Sequence, residues 1–317
     1  MSSRTIAYNH GRQHRSYAGE ARSQAKEGMM AGQTLTVGPF QVTPLVDAEG
    51  GFFPLSVVFP HDTPRVAAFR EAYPGSFADP ETLYTFVRCY LVRTPTQLIL
   101  VDGGIGPGPV PLFGNSRGQL LTALAAEGVT PDAIDLVYFT HLHPDHAGWA
   151  VGPDGRPTFP RARYVATRTD WETFQQPAVK EAMDALVAYL DQAVYPLARL
   201  GVLELVDGEA ELAPGIRVWP TPGHTTGHAS LLLQAEDTIA AILGDVYTHP
   251  AQVRHPDIAA AFDMDAATAQ ATRERVNAWA AQTGAIVTVT HFPQPGGFGR
   301  IVREGEVFRW EPLPALR

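Results

Sequence analysis

The chain repeatedly ends a short apolar run with a histidine or an aspartate, most densely in "FTHLHPDHAGW", Phe139 to Trp149. Three of its 11 histidines and one aspartate fall within residues 141–146, directly after the run "DLVYFT". A polar group buried at a strand end and left unpaired is costly, so a chain built this way has to supply partners. Imidazole and carboxylate together suit zinc, and also manganese, iron or cobalt. In such a loop His141 and His143 can point to one side while Asp145 and His146 point to the other, which suits two ions better than one. Further donors stand in matching contexts: His224 just past "IRVW", Asp245 at the end of "TIAAILGD", and His291 at the end of "AIVTVT". Each would be delivered by its strand to a common edge.

The rest of the chain narrows the class. A formal net charge of -9 argues against a nucleic-acid partner, because phosphate binding needs a basic field. No stretch of 18 apolar residues exists, so no membrane span is expected. The single cysteine, Cys89, rules out an intramolecular disulfide and reads as a small buried hydrophobe within "YTFVRCYLVR". A cytoplasmic location is expected. Residues 1–33 show no periodicity and read as a flexible N-terminal tail; patterned sequence, and one domain, occupies 34–317.

Within that domain β-rich runs alternate with helical patterns, giving a mixed α/β (α+β) class. Strands are expected at 84–92, 97–104, 135–140, 163–167, 216–221, 229–234, 238–245 and 285–290. Helices are expected at 117–128, over a long stretch near 178–199, and at 266–282, with a short one after Thr130 and Pro131. The Gly/Pro-rich loop "GGIGPGPVPLFGNSRG" follows a strand end but lacks the spacing of a dinucleotide fingerprint.

The order H-x-H-x-D-H, then a distant His, Asp and His, resembles the metallo-β-lactamase superfamily over residues 34–317. The resemblance implies a four-layer αββα sandwich with two divalent metal ions, zinc first, at the shared sheet edge. It implies that His141, His143 and His224 hold one ion, that Asp145, His146 and His291 hold the other, and that Asp245 bridges both. Asp102, in "LILVDGG", and His228, in "HTTGH", match family positions that support ligands without binding the ions.

Within the superfamily the residues are similar to the N-acyl homoserine lactonase and methyl parathion hydrolase-like branch. The bridging aspartate is present, His143 stands where flavin-linked members carry glutamate, and only 26 residues follow His291, too few for a glutathione-binding helical region. One departure matters: homoserine lactonases carry a tyrosine three residues after the bridging aspartate, where this chain has Thr248, with Tyr247 one position early. The expectation is a hydrolase of lactones or aryl esters, with organophosphate triesters as a side substrate. A metal-bridging hydroxide would be the nucleophile, since coordination lowers the pKa of water from 15.7 to about 7. Asp145 or Asp245 would pass the proton to the leaving alkoxide. A thioesterase of the glyoxalase II type and a metal-holding binding protein are the alternatives. Phe113, Trp171, Tyr247, Thr248, His249 and Phe292 are the candidate contacts to a small-molecule substrate, under a cap formed by 168–200. A homodimer is expected by analogy.

Overall fold

The structure is a computed structural model that describes residues 34–236, 238–293 and 297–314. The expectation of a flexible tail at 1–33 lies outside the described residues. The first sheet is built from β1 (Leu35–Val37), β2 (Phe40–Pro54), β3 (Phe77–Asp79), β4 (Thr82–Arg93), β5 (Leu98–Val101), β6 (Leu136–Tyr138), β7 (Arg163–Thr167) and β8 (Leu203–Val206). Its order is β1-β2-β4-β5-β6-β7-β8, with β3 beside β4, and β5 through β8 run parallel. The second sheet, β9 (Glu211–Ala213), β10 (Ile216–Pro220), β11 (Ala229–Ala235), β12 (Thr238–Ile242), β13 (Ile286–Thr288), β14 (Phe298–Glu304) and β15 (Val307–Pro312), lies in sequence order and is antiparallel except at β12 and β13.

Period-2 alternation assigns the faces. Ile99, Val101, Leu136 and Tyr138 meet Val218, Leu231, Leu233 and Ile242 between the sheets. Leu100, Val137 and Tyr164 point outward to a helical layer, while Ala241 and Val287 point to the opposite one. The helices are α1 (Leu55–Val58), α2 (Thr63–Ala67), α3 (Leu120–Ala126), α4 (Pro144–Ala147), α5 (Arg168–Phe174), α6 (Pro177–Leu186), α7 (Tyr195–Arg199), α8 (Ala251–Arg254) and α9 (Ala266–Thr283). α3, α5 and the segment around Leu190–Leu197 cover the first sheet, and α9 covers the second. This is the expected αββα sandwich. Cys89 is fully buried in the core.

Three elements differ from expectation. The long helix near 178–199 is broken: α6 ends where Val187 turns extended (φ -162°, ψ 123°), and a π-helical turn, Leu190–Val194, precedes α7. Burial explains the break, because α6 buries no residue whereas Leu190, Ala193 and Val194 enter the core. β2 is a 15-residue strand that its short alternating runs did not announce. The strands carrying Asp102 and Asp245 stop at Val101 and Ile242, so both aspartates lie in the turns that follow.

Candidate metal centre

Those turns are shaped by what the aspartates must reach. Asp102 takes a left-handed conformation (φ 64°), which aspartate tolerates better than most residues, and accepts hydrogen bonds from Thr140 N (2.8 Å) and Thr140 Oγ1 (2.9 Å). Gly244, before Asp245, is also left-handed, and a Cβ there would sit 2.7 Å from His228 Nε2 and 2.9 Å from Thr140 Oγ1. Only glycine lets the strand end come that close to the histidine loop.

The structure brings all seven expected ligands to one edge between the sheets. His143 Nδ1 lies 2.9 Å from both His141 Nε2 and His224 Nε2. Asp145 Oδ2 is 3.7 Å from His146 Nε2 and 3.6 Å from His291 Nε2. Asp245 stands between these sets: its Oδ2 is 2.8 Å from His291 Nε2 and 3.5 Å from His224 Nε2, and its Oδ1 is 3.3 Å from His146 Nε2. All but the half-buried Asp145 are buried.

Three of the five rings are held from behind. His146 Nδ1 lies 2.9 Å from Asp102 Oδ2, His224 Nδ1 lies 3.1 Å from Asp263 Oδ1, and His291 Nδ1 donates to the Phe86 carbonyl (2.7 Å). His228 does not join the seven. Its Nε2 accepts from the Asp245 N–H (3.0 Å) and its Nδ1 faces the Thr221 carbonyl (3.0 Å), so it fixes the backbone of Asp245. Burial, with His224 beside it, pushes His228 down to about 3, and its ring is neutral.

Burial and mutual contact perturb these groups strongly. Burial pushes His141 well below the ordinary imidazole value, with His146 and His143 adding to the effect. Burial also opposes a charge on His146, but Asp245, Asp102 and Asp145 outweigh it and hold that ring well above the ordinary value. Asp245 is held well below the usual carboxylate range: burial raises it, and His291 and His146 more than offset that. Two of the converging atoms, His146 Nε2 and Asp245 Oδ1, are buried and face each other at 3.3 Å without the geometry of a hydrogen bond. Orphaned donor atoms on buried imidazole and carboxylate fit a divalent metal.

The candidate substrate contacts divide. Phe113 is buried in an aromatic array, edge-on to Phe52 (5.5 Å) and Phe53 (5.8 Å), and Phe53 continues to Phe262 (5.6 Å), next to Asp263. Trp171 packs on Tyr195 (5.8 Å) within the helical layer, and it is Phe174, one turn later in α5, that meets the His143 ring (5.6 Å). Tyr247 and Phe292 are core residues with 0% exposure and no surface to offer a substrate. The Tyr247 hydroxyl donates to Asn277 Oδ1 (2.8 Å), and Phe292 packs edge-on against Trp310 (4.9 Å). His249 is buried among the rings of Phe59, Tyr73 and Phe77, which lowers it to about 3. Thr248 is half-buried, and its N–H donates to Gln252 Oε1 (2.7 Å). The segment expected as a cap packs on the ligand loop where the Tyr189 hydroxyl donates to the Leu142 carbonyl, and the cavity of about 980 Å³ that 187–200 borders is lined by Pro144 and Gly148 but by none of the seven expected ligands.

Sequence reading missed Asp47, Asp170, Asp263, Arg88 and Arg273, all placed behind the site. Asp47 is the extra residue of a bulge in β2, which aims its carboxylate at Ile105 N (2.6 Å), Leu120 N (2.8 Å) and Trp149 Nε1 (2.9 Å). Asp170 accepts from Leu142 N (2.8 Å) and Thr225 Oγ1 (2.5 Å).

A sandwich of two sheets with seven histidines and aspartates at its edge defines a metal-centred α/β protein. The chain belongs to the metallo-β-lactamase superfamily, whose sequence profile matches residues 84–291. It is 30% identical over 172 residues to an N-acyl homoserine lactonase of a Bacillus species, a match spanning 50% of this chain and 62% of that relative's length. Among solved structures, AidC, a dizinc quorum-quenching lactonase with a bound product, superposes with a TM-score of 0.78 at 23% identity, over 90% of this chain and 98% of AidC. The hydrolase AbOPH of the β-lactamase superfamily superposes equally well, TM-score 0.78, at 25% identity, over 92% of this chain and all of AbOPH. Among the described residues no helix is long and apolar enough to cross a membrane.

Proposed function

We propose that residues 34–317 form a two-metal hydrolase that opens lactones and cleaves aryl esters, with neutral organophosphate triesters as side substrates. The observation that carries this reading is the convergence of the seven side chains around the unpartnered Asp245 Oδ1 and His146 Nε2. Two divalent cations, zinc in the first instance, would supply Lewis acidity there and bring a water pKa to about 7. His141, His143 and His224 would hold one; Asp145, His146 and His291 would hold the other; Asp245 would hold both.

Asp102, Asp263 and the Phe86 carbonyl hold one nitrogen of His146, His224 and His291, which would leave the other nitrogen of each ring to bind an ion. Asp145, whose side chain is 12% exposed against 5% for Asp245, is the carboxylate with access to a leaving group and would hand it the proton. Phe174 against His143 and the array of Phe52, Phe53, Phe113 and Phe262 give apolar walls that favour neutral, hydrophobic substrates. The Tyr247 hydroxyl is committed to Asn277, so a tyrosine does not assist a homoserine lactone from that position, and the reading is a general lactone and ester hydrolase.

The test is hydrolysis by zinc-loaded protein of an acyl homoserine lactone, an aryl lactone, aryl esters, a phosphotriester and a glutathione thioester. Turnover of lactones or aryl esters that disappears in Asp245→Asn supports the reading. Turnover of the thioester alone would replace it with a thioesterase, and a ligand bound but never converted would make the chain a binding protein.

A further inference from the structure

Among the described residues the two bulkiest fully buried side chains are arginines, Arg88 and Arg273. Arg273 projects from α9 toward the metal edge. Its NH2 lies 2.5 Å from Asp263 Oδ2, its Nε donates to the Val246 carbonyl (2.9 Å), and its NH1 donates to the Ile258 carbonyl (2.9 Å). Asp263 uses its other oxygen on His224 Nδ1 (3.1 Å), and its Oδ2 also accepts from Ala260 N (3.0 Å). The two side chains are 1% and 0% exposed. One guanidinium therefore touches the carboxylate behind His224 and the carbonyl of the residue next to Asp245.

We infer that Arg273 and Asp263 act as a positioning pair that fixes the orientation and tautomer of His224 and ties it to the turn carrying Asp245. The inference rests on the two-metal reading above. A carboxylate 3.1 Å from Nδ1 makes that nitrogen the protonated one and leaves the Nε2 lone pair facing His143 Nδ1 and Asp245 Oδ2. Arg273 NH2, 2.5 Å from Asp263 Oδ2, gives the carboxylate a charged partner on the oxygen that His224 does not use. A buried ion pair is poor evidence for stability, because desolvation offsets most of the attraction. Its geometric consequence is more specific. Arg273 holds the Val246 carbonyl and, through Asp263, the His224 ring in one planar fork, so these two supports cannot drift independently.

The experiment compares wild type, Asp263→Asn and Arg273→Lys. Zinc affinity is measured for each of two equivalents by chelator competition, the visible spectrum is recorded after cobalt loading, and thermal midpoints are taken alongside. In Asp263→Asn one equivalent should weaken by roughly 10–100-fold with the other unchanged, and the cobalt spectrum should shift. Arg273→Lys, which keeps a charge near Asp263 but loses the fork, should weaken the same equivalent by less, and it carries the test if the asparagine variant does not fold. A folded Asp263→Asn that binds both equivalents as wild type does would overturn the pair. Equal weakening of both equivalents with a lowered midpoint would overturn it too, since that marks general packing. Uptake of only one equivalent by wild type would overturn the two-metal reading itself, which the variants alone would not.

Discussion

The two halves of the candidate metal centre are supported differently. Behind the loop of His141, His143, Asp145 and His146 stand three buried carboxylates, Asp47, Asp102 and Asp170. Behind His224, Asp245 and His291 stand two buried guanidiniums, Arg88 and Arg273, with one buried carboxylate, Asp263, paired to Arg273. Backbone geometry accounts for the difference. The crowded loop and the turns around it present N–H groups with no strand partner, and the carboxylates accept them: Leu142 N on Asp170, Thr140 N on Asp102, and Ile105 N and Leu120 N on Asp47. The other ligands arrive singly at or just past strand ends, where carbonyls are left over. Arg88 NH1 donates to the carbonyls of Thr290 and Phe292 on either side of His291, and Arg273 donates to those of Val246 and Ile258. A ligand-rich loop needs acceptors, whereas strand-end ligands need donors.

The largest effect should come from the residue that joins the halves. Asp245→Asn is expected to cut lactone turnover by more than the roughly 10–100-fold that follows loss of an outer partner, read as kcat/KM at saturating zinc. Activity within tenfold of wild type would show that the halves work without their bridge.

Next in size is a pH effect confined to the carboxylate half. Burial lifts Asp47 to about 6, against the lowering pull of Ile105, Trp149, Leu120 and Gln119. The folded chain thus keeps this proton from about pH 4 to 6, where the unfolded chain has released it. The stability contributed by the neutral carboxyl is present at the bottom of that window and lost as pH rises through it, up to about 3 kcal/mol. Urea unfolding of wild type and Asp47→Asn at pH 4, 5 and 6 checks this; the downward slope should be shallower in the variant, the remainder coming from Asp170, which burial also lifts to about 6, and identical slopes would mean Asp47 is already ionised throughout.

A third substitution sharpens the contrast between supports. Asp102→Asn should weaken zinc by about 10–100-fold at the equivalent that uses His146, the complement of the equivalent sensitive to Asp263. Chelator competition on both variants would show two different equivalents affected; the same one affected twice would merge the halves.

These supports also mark where sequence stopped being informative. Histidine or aspartate after an apolar run has few uses, so the seven expected ligands and Asp102 stood out. Asp47 sits mid-strand on a bulge, and Asp170 and Arg273 lie on helices, where charged residues ordinarily face water; their partners are distant in sequence. Arg88 left a trace, as the one charged residue within "YTFVRCYLV". Aromatic residues near ligands were ambiguous for another reason. Nearness along the chain does not set direction, and in the turns after Asp245 and His291 the rings of Tyr247 and Phe292 point into the second sheet's helical layer.

The smallest effect follows from that point. Tyr247→Phe removes the hydroxyl's contacts with Asn277 Oδ1 (2.8 Å) and the Arg273 carbonyl (3.3 Å) and should lower stability by about 1 kcal/mol, with kcat and KM within twofold of wild type. A tenfold loss of kcat would return Tyr247 to the reaction.

The most direct single measurement is a zinc titration of chelator-treated wild type with lactone or aryl ester hydrolysis followed at each addition. Hydrolysis is expected to stay near background through the first equivalent and rise with the second, reaching its plateau at two per chain. Full activity at one equivalent, or hydrolysis that zinc does not change, would contradict a centre built from two halves.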